Sequence, residues 1–356
     1  MEIIFTKDSD YKKKWNDFVL NNDRGSHLLL TDWLQSYKNY GFDYELCLAI
    51  ENEEIIAGYG AVIAKFLFFK FYIIPYGPID KTANGGVLKL LIDAIAVRAK
   101  KIKACYCQFN FPMSSNASFS NHYYQSIDET LFKNYKKGNL FKFVYSSNGL
   151  NWIDLKKYTT EEEILIDFKS TVRRDIRSAL RKEQEIKFLT AETDIKQAYD
   201  LCLENAKNGN YSLRDWASFK ETILKLVQND KAKFIAAYKD NEIKGAIFLV
   251  KSGNYYSYIL GGTKKEKPDL LTGHLLQWEA IKLSFNENLD GYNISLGGSD
   301  GVKEFKSNFN TTAVDYIDTK YFVVINAIIF KFFLFFEEKV RPLKKNIAKI
   351  LSVLKK

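Results

Sequence analysis

The chain has 356 residues, 46% of them hydrophobic, which is enough for a sizeable core and more than one domain. Its formal net charge of +9 suits nucleic acid, phosphorylated substrates or an anionic membrane surface as partners, unless it reflects a lysine-rich proteome. The four cysteines form no Cys-x-x-Cys pair and the three histidines are scattered, so a zinc site, a disulfide framework and a His-based metal site are all disfavoured.

Met1 to Phe5 reads directly as a strand, so no signal peptide is expected and a reducing cytoplasm is the expected setting. A helix with Tyr11, Trp15, Phe18 and Val19 on one side follows. A second helix starts at an N-cap, Thr31 or Asp32, and runs to about Tyr40. Tyr44 to Ile50, Ile55 to Phe69 and Lys70 to Ile74 read as strands, the first two joined by an acidic turn. Asn84-Gly85-Gly86 opens a helix from Val87 to Lys101, and Ala104 to Phe111 is a strand stopped by Pro112. The next stretch, to about residue 140, is polar and lacks periodicity.

A second round begins at Trp152. Thr160 followed by three glutamates is a helix start, continuing with a break into Thr171 to Gln184. A strand at Ile186, two helices, three strands from Phe234 to Gly261 and a helix from Leu270 to Asn286 complete it. The halves repeat one pattern. Ala49-Ile50, an acidic turn and Ile55-Ile56-Ala57-Gly58 match Ala236-Ala237-Tyr238, an acidic turn and Ile243-Lys244-Gly245-Ala246. The expected architecture is α/β with mixed sheets in two tandem domains, 1–150 and 151–325, with a helical tail over 326–356.

The last strand, Tyr292 to Leu296, runs into Gly297-Gly298 and a short helix with Val302, Phe305 and Phe309 on one face. Such a turn aims backbone N–H groups at one spot, and Lys306 beside it suits an anionic ligand or a developing oxyanion. Arg173 and Arg177 lie one turn apart on one helical face, a spacing able to grip phosphate.

The strand–turn–strand repeat resembles the middle of a GNAT-type acyltransferase domain, and two in tandem resemble the FemABX family of peptidoglycan interpeptide-bridge aminoacyltransferases. Four segments carry the resemblance, across roughly residues 1–325. They are Trp33 with Lys38 and Gly41; Tyr76-Gly77-Pro78-Ile79, with Tyr in the place of the family's usual Arg; Ser170 to Ala179; and Gly301 to Phe309. An acid usual before the proline ending the fifth strand is replaced by Phe111, and Asn310 stands where the closing glycine is usual. The resemblance implies transfer of an amino acid from aminoacyl-tRNA to an amine of a peptidoglycan precursor, with no resident cofactor. Lys306 is then the candidate catalytic group. Lys38, Tyr76, Arg173, Arg177, Tyr256, Tyr258, Gly297 and Gly298 are candidate substrate contacts. The segment Lys264 to His274 lacks the glycine-rich loop with which acyl-CoA enzymes of this fold hold pyrophosphate. The alternative remains an acyl-CoA-dependent N-acyltransferase acting on an amino sugar. The tail is very apolar over Phe322 to Phe336, and a basic amphipathic run follows. It is read either as an interfacial helix on the inner leaflet or as a cover for the second domain.

Overall fold

The computed structural model describes residues 1–340 apart from 83 and 119. Strand β1 (Glu2–Thr6) leads into α1 (Ser9–Leu20), whose first turn is capped by the Asp8 carboxylate. Helix α2 (Thr31–Gln35) runs into a 3-10 turn over Ser36–Tyr40, stopped by Gly41 at φ +73°. The expected cap at Thr31 or Asp32 is displaced by one residue. Leu30 is the N-cap, and its apolar side chain contributes no bond, while the Thr31 hydroxyl accepts from Asn16 Nδ2 at 2.8 Å.

The first half continues as β2 (Asp43–Glu51), β3 (Glu54–Phe66), β4 (Phe69–Ile74), β5 (Ile79–Asp80), α3 (Gly85–Lys101), β6 (Tyr106–Asn110) and β7 (Lys136–Lys137). The second comprises β8 (Gly149–Asp154), α4 (Glu161–Asp167), α5 (Ser170–Leu180), β9 (Glu185–Leu189), α6 (Glu192–Asn208), α7 (Trp216–Gln228), β10 (Ala232–Lys239), β11 (Glu242–Lys251), β12 (Tyr255–Thr263), α8 (Thr272–Asn286), β13 (Gly291–Asn293), α9 (Asp300–Ser307) and β14 (Thr312–Asp315). The chain returns through β15 (Lys320–Val324) and α10 (Ala327–Phe335). Thr160 and Glu163 form the capping box that starts α4, and Phe168 marks the break before α5.

The duplication seen in the sequence is a duplication of strand order. One sheet runs β1, β2, β3, β4, β6, β15, β7, with β5 beside β3; the other runs β9, β10, β11, β12, β13, β8, β14. Position by position the two orders correspond. In each, the fourth strand pairs parallel with the fifth, and the neighbouring pairs are antiparallel. The repeated hairpins share a finer feature. Both shift register at one place, between Ala49 and Ile50 and between Ala237 and Tyr238. Both turn through two residues of positive φ, Asn52-Glu53 and Asp240-Asn241.

The sixth position of the first sheet is filled from the far end of the chain. β8 opens the second half and stays in its sheet, but β15, from residues assigned by sequence to 151–325, lies between β6 and β7 of the first sheet. The tail departs from expectation likewise. Phe330 and Phe333 of α10 pack on Phe69, Phe71 and Tyr106, so α10 covers the first domain and not the second. Most of the expected amphipathic run, from 341 onward, lies outside the described residues.

Each sheet is sandwiched. One face of the first packs on α3, and one face of the second packs on α4, α5 and α8. The remaining faces carry α1 and α2 in one case and α6 and α7 in the other, and these layers meet in one continuous core. Trp33 of α2 meets Phe219 of α7 edge to face, with ring centroids 5.4 Å apart. Polar links cross the same boundary: Tyr255 Oη donates to Gly25 O at 3.1 Å, and Lys231 pairs with Asp32 at 3.2 Å.

Candidate active site

The site begins where two parallel strands part. β12 pairs with β13 only over Tyr255–Ser257, then continues alone on that side to Thr263. β13 stops at Asn293, and Ile294 keeps to the β8 side, donating to Asn151 O. In the first sheet the corresponding pair stays together to the end of β4, so only the second sheet opens. An unpaired strand edge presents backbone N–H and C=O groups to whatever enters.

Lys306 lies at this opening, buried, with its ammonium 5.4 Å above the Tyr258 ring. The expectation that the ammonium faces the cleft directly is corrected. Its three protons go to Ser295 O at 3.1 Å, Ser295 Oγ at 2.7 Å and Gly297 O at 2.7 Å. The helical stripe is corrected with it. Val302 is exposed and Lys306 takes the inward place, while Phe305 packs on His274 and Phe309. Burial lowers the Lys306 pKa from its ordinary value to about 8. Lys303, three residues earlier, is exposed and sits 3.7 Å from Asp300.

The glycine turn works differently from expectation. Gly297 turns its carbonyl inward to Lys306, and Gly298 at φ +134° has no room for a Cβ beside Val302. A residue absent from the sequence reading stands out here. Ser295 takes φ +67°, unusual for a non-glycine, and is held there by its own N–H on Asn293 Oδ1 at 3.1 Å. Its hydroxyl oxygen accepts from Lys306, which leaves the hydroxyl proton to be donated elsewhere.

Of the candidate tyrosines, only Tyr258 borders the opening. The Tyr256 hydroxyl faces the Glu287 carboxylate at 3.1 Å, and the Tyr76 hydroxyl is buried in the shared core near Tyr316. Both act as core aromatics. Arg173 and Arg177 lie on the outer face of α5. Arg173, half-buried, donates to Ile166 O, and the exposed Arg177 pairs with Glu162 at 2.8 Å. Lys38, in the turn after α2, is exposed and makes no salt bridge among the described residues.

The structure adds Arg214, on the loop between α6 and α7. Its guanidinium lies 4.8 Å from the Tyr37 and Phe219 ring centroids, with Trp33 and Tyr40 slightly farther away, and Nη1 donates to Ser36 Oγ at 2.5 Å. Among the described residues no carboxylate lies within salt-bridge distance of it. Tyr37 and Tyr40 flank Lys38 in sequence, so Lys38 belongs to the same turn whose rings surround Arg214. The same loop carries Tyr211, close enough to raise the Tyr258 pKa alongside the dominant effect of burial. Only the aromatic surroundings of Arg214 in the sequence, Tyr211 and Trp216, hinted at it. The described residues hold no cluster of three or more metal-ligating side chains.

Residues 167–307 match a family described as acetyltransferase (GNAT) domain. A crystal structure of FemX superposes with a TM-score of 0.77 and 14% identity, covering 93% of this chain and 99% of that one. This is a FemABX-like tandem GNAT fold. The C-terminal domain of a putative lysylphosphatidylglycerol synthetase from Agrobacterium fabrum also superposes, with a TM-score of 0.52 and 11% identity over 90% of this chain and 93% of that one. So does a tandem GNAT protein from the clavulanic acid biosynthesis pathway, with a TM-score of 0.51 and 9% identity over 91% of this chain and 99% of that one. No curated protein matches the sequence. On the FemX-like fold, the four resembling segments fall on α2 and the turn after it, just past β4, along α5 and on helix α9. The residues matched as a GNAT acyltransferase domain include the whole opening and Lys306.

Proposed function

We propose that the chain transfers an aminoacyl group from aminoacyl-tRNA to an amine of a peptidoglycan precursor stem peptide. The observation that carries this reading is the opening beside β12, with a buried lysine at its base and no glycine-rich loop leading into α8. The segment before α8 is instead tied down: Lys182 donates to Asp269 O, and Gln184 donates to Leu270 O at 3.0 Å. The likeness of fold to FemX supports the same reading.

In this reaction the acceptor nitrogen attacks the ester carbonyl. The bond from that carbon to the tRNA ribose oxygen breaks, an amide forms, and the amine proton ends on the ribose hydroxyl. The protein must position two substrates and stabilise the oxyanion. The Ser295 hydroxyl, polarised by the Lys306 ammonium, is the donor aimed at that oxygen, and Tyr258 lines the path toward the acceptor. Arg173 and Arg177 are the contacts for donor phosphates, since an exposed pair such as Arg177–Glu162 is worth little and yields readily to phosphate. Lys38 and Arg214 are the contacts for an anionic, phosphate-bearing acceptor. The donor places the reaction in the cytoplasm, at or near the inner face of the membrane.

The alternative is acyl-CoA-dependent acylation of an amino sugar. It is favoured by the GNAT match at 167–307 and by an α8 N-terminus that no side chain caps. Radiolabel supplied separately on charged tRNA and on acyl-CoA decides between them. Transfer from charged tRNA alone is expected, and transfer from acyl-CoA alone overturns the proposal.

Changing Lys38 and Arg214 together to alanine is expected to raise the acceptor KM by about tenfold to a hundredfold, the worth of one or two charge-assisted bonds. The loss should shrink as salt rises, because the variant lacks two of the salt-screened contacts, and kcat should stay within about twofold. An unchanged KM removes the acceptor from this boundary.

A further inference from the structure

We propose that the tip of the β3–β4 hairpin and the outer face of α10 form one surface that docks on an anionic lipid bilayer. Among the described residues, three hairpin turns leave two residues between the strand ends. Two of the turns are polar, Asn52-Glu53 and Asp240-Asn241, as tight turns in water ordinarily are. The third is Leu67-Phe68, with the side chains 69% and 73% exposed and Leu67 held at φ +53°. A leucine in the left-handed region, pointed at water, breaks both the turn rule and the burial rule at one place. Such local conflicts belong to functional sites.

The outer face of α10 continues this surface. Ile328, Phe332 and Phe335 follow at spacings of four and three, each 60% exposed or more, on the side opposite the residues packed on Phe71 and Tyr106. Phe336 joins the two parts, with its ring 5.5 Å from Phe66 at the hairpin end and 6.1 Å from Phe69. The apolar surface is therefore continuous, and contiguous patches of this kind mark interaction sites.

Charge selects the occupant. Lys65, Lys331 and Lys339 are exposed around the patch against Glu337 and Glu338, and the sequence from 341 to 356 adds six basic residues and no acid. Apolar wedges ringed by lysine match the acyl boundary and headgroups of an anionic leaflet. No helix among the described residues is long and apolar enough to cross a membrane, and the contact proposed is interfacial.

Vesicles test this without donor or acceptor, so the outcome is independent of the transferase reading. The full chain should sediment with phosphatidylcholine vesicles containing phosphatidylglycerol and much less with phosphatidylcholine alone. Changing Leu67 and Phe68 together to glutamate should lower that binding by at least about tenfold, given the apolar area withdrawn from the membrane. Val97→Glu, at an exposed apolar position on α3, should leave it unchanged. Thermal melting of both variants near that of the wild type keeps the comparison valid, since all three side chains are exposed. A chain ending at residue 340 should still bind and still depend on Leu67 and Phe68. Wild-type failure to bind anionic vesicles, binding insensitive to the hairpin change, or complete loss on ending at 340 each overturns the proposal. A wild-type dimer that the hairpin change dissociates overturns it too, by making this face a contact between copies.

Discussion

Lys306→Met is expected to lower kcat by roughly a hundredfold or more, the scale of losing one oxyanion donor, with little change in acceptor KM. The ammonium does not touch the reacting carbonyl in this arrangement. It fixes Ser295 and Gly297 and polarises the Ser295 hydroxyl, so two effects are lost together. Ser295→Ala separates them. It keeps both carbonyl bonds to Lys306 and removes only the hydroxyl, so it should lower kcat by roughly tenfold or more without a large drop in melting temperature. Lys303→Met is the control and should be tolerated, since it pairs with Asp300 across an exposed 3.7 Å gap.

The pH dependence carries a definite sign. Burial lowers the Lys306 pKa in the folded state to about 8, below its unfolded value of 10.5. The charged form is thus disfavoured by folding, and the unfolded chain holds more protons between these values. The resulting stability penalty is fully present below about pH 8 and is relieved as pH rises toward 10.5. Activity should move the other way. If the cation is needed, kcat falls as pH passes through about 8 in the wild type and loses that limb in Lys306→Met. A rate that rises through the same region makes Lys306 a base instead. Equal, small effects for Lys303 and Lys306 return α9 to a structural element.

Deleting residues 322–356 is expected to abolish cooperative folding of the first domain. The cut removes Phe322 to Val324 from β15, which pairs with β6 through Gln108, Cys107 and Tyr106 and with β7 through Lys136. It also removes Phe333, a buried ring packed among Phe69, Phe71 and Tyr106. Loss of one buried phenylalanine alone costs about 3–5 kcal/mol, a large part of the stability of an ordinary domain. An exposed sheet edge is left in addition, so aggregation is the expected visible result. Far-UV circular dichroism with a denaturant melt reads this directly. A soluble, cooperatively folded product would show that the first sheet closes without β15. The chain ending at residue 340 is the control, because it retains every one of these contacts.

The sequence by itself determined the elements and their repetition. Tight turn residues, a capping box at Thr160 and alternating apolar strands are local signals, and the repeated hairpin carried even its bulge into both halves. It also singled out Lys306 beside the glycine turn, though not its burial, since the helical period gives Val302 the inward place that Lys306 takes. Only the tertiary structure decided which sheet receives β15 and α10. Strand pairing joins residues more than 200 positions apart, and nothing local in an apolar run records its partner. The same holds at the site. Arg214 meets Ser36 across 178 residues, and whether Lys306 points at the cleft or back at Ser295 depends on where β13 turns away from β12. A helical period fixes the face a side chain leaves from; the acceptors within reach of its last atom are set by packing.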